Sequence, residues 1–296
     1  MMLEKFCNWV VSTQIKTVEK LHLGRSILAL NAIPMEFFYG FYSKLNIINP
    51  PCSRYKRYIA EYIKNNPVDQ QSEKPIAIVT GANSGIGYST SKALMLAGFH
   101  VIFACRSKDL AVNAVTKIKE ETNLENCEFM QLDLSSFEIM MCPYMKTKDG
   151  IEMQFGTNHV GHFILTNNLL DVLKRSAPAR VINVASLGHL FSDTTMDEIK
   201  ERVMDPSKYD KLKAYGNSKI ANIMFSTILA KNLSDTGVVV HSLHPGAVNT
   251  ELQRYATFDK NFIMNLLKKL TLLNPTAGSL TSVKLALSPE FENVSG

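Results

Sequence analysis

From residue 75 onward, short unbroken apolar runs alternate with stretches of helical period. The runs are "PIAIVT" (75–80), "HVIFAC" (100–105), "CEFMQLDL" (127–134), "RVINVAS" (180–186) and "VVVHSLHP" (238–245). Each has strand length and is enriched in β-branched or aromatic residues. Between the first two, "YSTSKALMLAG" places Leu94, Leu96 and Ala97 at helical spacing and stops at Gly98. A charged helix is expected over 107–122, a long one over 149–175, a short one near 196–203 and a long one from about 213 to 234. The remainder reads as helical from about 247 to 288. Continuously apolar strands alternating with helices predict a parallel sheet covered on both faces, hence an α/β fold with a doubly wound sheet.

The alternation breaks once. Between Leu134 and Asp149 lies "SSFEIMMCPYMKTK", in which no strand is visible, although the rhythm calls for one more there.

Residues 1–73 differ in kind and divide the chain into an extension and a main domain, 74–296. Residues 1–66 hold nine of the 32 Lys/Arg but only four of the 27 Asp/Glu, so the net +5 resides there and the rest is balanced. The stretch "ILALNAIPMEFFYGFY" (27–42) is the most apolar, but Pro34 and Glu36 interrupt it and it falls short of a spanning helix. Its aromatics, with Arg25 and Lys44 at the flanks, suit a peripheral anchor on a membrane surface; a helix packed on the main domain fits equally. "NNPVDQQSEKP" (65–75) reads as a linker. These features suggest a membrane-associated protein facing the cytosol, with the endoplasmic reticulum one such surface and a cytoplasmic protein the alternative. The main domain carries no basic stripe, which argues against a nucleic-acid partner. Five scattered cysteines show no ligand spacing, so no metal is expected.

Two patterns carry chemistry. The first strand ends at "TGANSGIG", which runs into a helix. Glycines let the backbone approach a pyrophosphate, and a helix N-terminus offers unpaired N–H groups and a favourable dipole. The second strand ends at Arg106 where a dinucleotide site often has an acid. A guanidinium matches a 2′-phosphate, which favours NADP over NAD. The second pattern is Tyr215-x-x-x-Lys219 on one face of a predicted helix. A neighbouring ammonium lowers the phenol pKa from about 10 and makes the pair a usable acid/base unit.

With these residues in place the chain resembles the short-chain dehydrogenase/reductase family over about residues 75–296. The resemblance rests on "TGANSGIG", Asn158-His-Val-Gly161-His-Phe163, "NVAS" ending at Ser186, Tyr215-x-x-x-Lys219, and Pro245-Gly246 with Thr250. "SAPARVIN" and "HPGAVNTEL" are most similar to the group of retinol dehydrogenases, WW-domain oxidoreductase and X-chromosome DHRS proteins. The resemblance implies a Rossmann-type fold and the interconversion of a lipophilic alcohol and carbonyl, retinoid- or steroid-like. It implies that Tyr215 is the acid/base, that Lys219 lowers its pKa and binds ribose, that Ser186 holds the substrate oxygen and that Asn158 anchors a relay water. It further implies cofactor contacts at Gly81, Ser84, Gly85, Ile86, Gly87, Arg106, Asp133, Leu134, Tyr215, Lys219, Pro245, Gly246 and Thr250. Self-association is left open.

The family also carries a helix and a central strand ending in Asn-Asn-Ala-Gly where this chain has its break, and usually a last edge strand beyond "ENVSG". The expectation is therefore a sheet lacking one central and one edge strand. At ~3.3 Å per residue the link reaches about 50 Å, against roughly 19 Å for four strand spacings of ~4.8 Å, so the connection itself is feasible. Unpaired strand groups, if buried, cost on the order of 1–3 kcal/mol each. Either "RVINVAS" closes up against the first strand or the fold is unstable, and two functions stay open: an active oxidoreductase, or an impaired form that keeps cofactor or partner binding.

Overall fold

The structure, a computed structural model, describes residues 51–66, 74–134, 140–250 and 272–296. The apolar stretch 27–42, the linker residues 67–73 and most of the helical reading between 251 and 271 lie outside these. Among the described residues the order is α1 (Pro51–Asn65), β1 (Ile76–Thr80), α2 (Gly85–Leu96), β2 (His100–Cys105), α3 (Lys108–Thr122) and β3 (Cys127–Gln131). Next comes α4, whose first turn Met153–Phe155 passes through a π-helical turn Gly156–Val160 into Gly161–Arg175. Then follow β4 (Ala179–Val184), α5 (Met196–Met204), α6 (Lys211–Asn232), β5 (Val238–Leu243) and α7 (Pro275–Leu287). All ladders are parallel, in a Rossmann-type α/β arrangement.

The strands form two sheets, β1-β2-β3 and β4-β5, with no ladder between them among the described residues. β4 does not close up against β1, as one horn of the sequence reading required. Pro75 C=O accepts from His100 and Gly81 N–H donates to Ala104 C=O, so β1 turns the backbone groups of Pro75, Ala77, Val79 and Gly81 toward β2. The alternation of a parallel ladder then directs those of Ile76, Ile78 and Thr80 to the opposite edge. In β4, Ala179 and Ala185 donate to Gly237 and Leu243, which leaves the groups of Arg180, Ile182 and Val184 on the edge away from β5. Neither edge is dry. Ile76 is 66% and Ile78 42% exposed, and β4 is half-buried throughout. Water can satisfy such edges, so the heavy penalty of dry burial does not apply.

Each sheet has its own core. Phe103 and Val101 of β2 pack with Leu94 and Met95 of α2, Ile118 of α3, Val283 of α7, and Tyr55 and Ile59 of α1. Of the helical pattern Leu94, Leu96 and Ala97, Leu94 and Ala97 are buried and Leu96 is 37% exposed. Helix α1 is fixed by the Tyr55 hydroxyl, which donates to Ser89 C=O at 2.6 Å. The second core joins Val238 and Val240 of β5 to Leu229 and Leu233 at the end of α6. Helix α7 ties the halves together: Val283 and Leu287 enter the first core, while Arg180 of β4 donates to Leu285 and Ser288 C=O at its C-terminal end. At the outer edge of β5, Gly296 N–H donates to Val240 C=O and Val240 N–H to Ser295 Oγ.

Residues 135–139 of the break lie outside the described residues, and the part from 140 onward is packed. Residues 149–152, expected in the long helix, form a tight turn with Gly150 at φ 81°, and Glu152 caps α4 by accepting from Gln154 and Phe155 N–H. Gln154 accepts from Met141 N–H and donates to the Tyr209 hydroxyl, which donates in turn to Cys142 C=O. The chain from 140 to 152 is thereby pinned to the residues that open α6. A second departure follows β5: Val248 bridges Leu273 in parallel instead of starting a helix.

Candidate functional site

The glycine turn follows from close approach. A Cβ on Gly87 would stand 2.4 Å from Gly81 C=O, and Gly81 and Gly85 sit at φ 64° and 57°. Ser84 occupies the N-cap of α2 but its side chain makes no cap bond. The first-turn N–H groups are thus not claimed by Ser84 and face a cleft of about 390 Å³ lined by Ser84, Gly85, Asn249, Thr250 and Pro275. Thr250 reaches over the turn, its Cγ2 3.3 Å from where a Gly85 Cβ would lie. Ile86 joins Val248, Leu273 and Ala277 below it. This turn, open to an anion and closed to side chains, fits a dinucleotide pyrophosphate. Arg106 and Asp133 are exposed just beyond β2 and β3. Leu134 lies against α4, where a Cβ on Gly161 would come within 3.0 Å of its own Cβ. Pro245 and Gly246 follow β5, and Gly246, at φ 85°, leaves room for Leu273.

Asn158, Ser186, Tyr215 and Lys219 gather around the start of α6. Tyr215 is 5% and Lys219 1% exposed. The Lys219 ammonium lies 5.6 Å from the Tyr215 ring centroid and donates to Val184 C=O at 3.2 Å. That carbonyl is on the open edge of β4, and Asn222 Nδ2 approaches it at 3.4 Å. Ser186 lies two residues beyond β4 and its Oγ accepts from Gly188 N–H at 3.0 Å, which keeps its hydroxyl proton for another acceptor. Gly188 lies between Ser186 and Tyr215: its absent Cβ would be 2.6 Å from Tyr215 Cε1 and 3.4 Å from Ser186 Oγ. Asn158 sits in the π-helical turn of α4, a distortion that recurs at functional sites. Its Nδ2 donates to Ser218 Oγ, Ser218 donates to Tyr215 C=O, and its own C=O accepts from Asn222. Beside it, burial pushes the His159 imidazole pKa down while its Nδ1 meets Asn222 Oδ1.

Turn and quartet belong to different sheets. They meet through His162 of α4, whose Nε2 lies 3.3 Å from Thr80 Oγ1 at the end of β1, and through the 245–250 segment over Gly85.

The sequence profile of the short chain dehydrogenases matches residues 75–142 and 206–261, its first segment ending inside the junction. Retinol dehydrogenase 14 of Homo sapiens is 36% identical over 258 residues, which span 74% of this chain and 76% of the relative. The chain belongs to the short-chain dehydrogenase family. As a member it is an oxidoreductase by class, and membership supports a nicotinamide cofactor. Two solved structures share the fold of this short-chain dehydrogenase. One is 3-ketoacyl-(acyl-carrier-protein) reductase of Brucella melitensis complexed with NADH (TM-score 0.55, 20% identity, 75% of this chain and 94% of that one). The other is the Pseudomonas aeruginosa RhlG/NADP complex (TM-score 0.56, 22% identity, 75% and 92%).

Sequence reasoning did not single out Asn249 and Pro275 in the cleft, nor Asp193 and Asn217 beside Tyr215. "NP" at 274–275 is a helix-start signal that could have flagged Pro275. Asp193 and Asn217 carry no local signal.

Proposed function

We propose that this short-chain dehydrogenase interconverts a lipophilic alcohol and its carbonyl, retinoid- or steroid-like, with NADP(H) as cofactor. The observation that carries the proposal is that Ser186 and the buried Tyr215 flank Gly188, with the buried Lys219 ammonium 5.6 Å from the Tyr215 ring. In reduction the Tyr215 hydroxyl gives its proton to the substrate oxygen, and in oxidation the phenolate takes it back. Lys219 stabilises that phenolate, and burial strengthens the interaction. Ser186 holds the substrate oxygen beside Tyr215. Asn158, through Ser218, sets the pitch of the Tyr215 turn. The turn from Gly81 to Gly87, Thr250 and Arg106 would hold the cofactor, with Arg106 on the 2′-phosphate; when bound, the cofactor supplies or accepts the hydride. Retinal with NADPH, followed at 340 nm, tests this. Turnover is expected, with a loss on the order of 10²–10⁴-fold in Tyr215→Phe and a shift toward NADH in Arg106→Ala.

A second function is favoured by one specific observation, that among the described residues no ladder joins the facing edges of β1 and β4 between turn and quartet. A chain that binds NADPH without turnover, in wild type and Tyr215→Phe alike, would be the impaired form. Residues 1–66 are proposed as a peripheral contact with anionic membrane; no helix among the described residues is long and apolar enough to cross one. Recovery of the full chain wholly in the soluble fraction at low salt overturns that contact.

A further inference from the structure

The segment after Ser186 carries a buried charge that the reaction does not use. The Asp193 side chain is 1% exposed, and four donor atoms converge on it: Arg202 Nε at 2.5 Å and Nη2 at 3.0 Å, Lys213 Nζ at 2.9 Å and Asn217 Nδ2 at 2.9 Å. Asn217, fully buried between Tyr215 and Lys219, binds residue 193 twice. Its Oδ1 accepts from Asp193 N–H at 2.8 Å while its Nδ2 donates to Asp193 Oδ2. Main chain and side chain of residue 193 are therefore fixed together to α6. One residue earlier, Gly216 has no room for a side chain: a Cβ there would be 2.7 Å from Ser192 N and 2.9 Å from Gly188 C=O. One residue earlier again, the Tyr215 ring fills the space that a Gly188 Cβ would need. Three consecutive residues of α6 thus seat the segment 188–193. A buried ion network adds little net stability over apolar packing of the same volume, because desolvation offsets attraction; a role in fixing geometry is what it can add.

We propose that Asp193 and Asn217 are positioning residues that latch the 187–193 segment to α6 and so set Ser186 Oγ against the Tyr215 hydroxyl. The proposal rests on Ser186 and Tyr215 acting as described above. Releasing the latch frees Ser186 to move away from Tyr215 without touching the glycine turn. A misplacement of about 1 Å at a reacting group costs on the order of 10²-fold in rate.

The test pairs kinetics with amide hydrogen exchange in the full chain. Asp193→Ala and Asn217→Ala should each lower kcat about 10- to 100-fold, with NADPH affinity and carbonyl KM within about twofold of wild type. The two changes together should be no worse than one. Exchange should quicken in peptides covering 187–193 and stay as in wild type in β2 and β5. The swap Asp193→Asn with Asn217→Asp retains complementary donors and acceptors between the two positions and should recover activity over either alanine variant. If Asp193→Ala does not fold, Asn217→Ala and the swap are read alone. Wild-type kcat in the alanine variants, unchanged exchange in 187–193, or exchange raised evenly over the chain overturns the latch. A wild-type chain without turnover overturns the enzymatic reading instead. The exchange result then still decides whether the latch exists.

Discussion

Gly87 cannot be replaced cheaply. The backbone carbonyl of Gly81 lies 2.4 Å from where a side-chain methyl would sit, and neither backbone can retreat without opening the turn. Gly87→Ala should cost about 1–3 kcal/mol and weaken NADPH binding, measured by thermal melting and fluorescence titration. Gly81 is the control. Space around it is open, and only its φ of 64° resists a side chain, so Gly81→Ala should cost about 1–2 kcal/mol. Two buried carboxylates respond to pH in opposite senses. Burial pushes the Glu152 carboxyl up, against the pull of the Gln154 and Phe155 N–H groups and the Tyr209 hydroxyl. The folded state therefore holds that proton more tightly than the unfolded chain. Its contribution is largest in acid and declines as pH rises from the ordinary glutamate range through the raised value. Glu152→Gln keeps an acceptor oxygen and removes the titration, so its urea midpoint should lack that part of the wild-type decline. For Asp193, burial also pushes upward, but Arg202, Asn217 and Lys213 outweigh it and hold the carboxyl well below the ordinary range. Its stabilisation is present above the ordinary aspartate pKa and is lost only in strong acid.

At the scale of elements, much was legible. The β1, β2 and β5 runs and the glycine turn are local patterns, and the structure keeps them nearly to the residue. β3 stops at Gln131 instead of Leu134 because Leu132 N–H makes a last bond to Cys105 C=O and the chain then leaves the ladder. The residues after β5 looked helical, yet Val248 pairs with Leu273, a partner no local pattern reveals. The same holds for the junction, whose fastening to Tyr209 and Gln154 depends on polar groups far apart in sequence. The sequence named the break but not its outcome, because apolar runs state what a strand is and not whether its neighbour is water. The open edge of β1 makes a further expectation concrete. Among the described residues no strand pairs with the edge that carries Ile76 and Ile78, and such an edge is a template for another chain. Ile78→Lys should reduce self-association seen by light scattering, with a stability change of about 0.5 kcal/mol or less, since the side chain already contacts solvent.

At the scale of the whole molecule, α7 is one clasp between two halves that also meet at His162 and at Ile86. Arg180 joins β4 to the end of α7, and α7 lies in the core beneath β2. Arg180→Ala removes a cation that donates to two carbonyls and should cost about 2–3 kcal/mol. In calorimetry the variant should melt at lower temperature but still in one transition, because the Thr80–His162 contact and the Ile86–Val248 cluster still join the halves. Both halves of the chemistry depend on that coupling, because the turn sits on one core and Tyr215 on the other.

The division into two sheets also bears on how the chain is made. Each ladder joins strands that are neighbours in sequence, with β1 to β3 between residues 76 and 131 and β4 with β5 between 179 and 243. Among the described residues no strand waits for a partner from the other half, so each sheet can form as soon as its own segment leaves the ribosome. The clasp comes late, because α7 lies after both sheets in the chain. The order of the chain thus allows both sheets to form before α7 joins them.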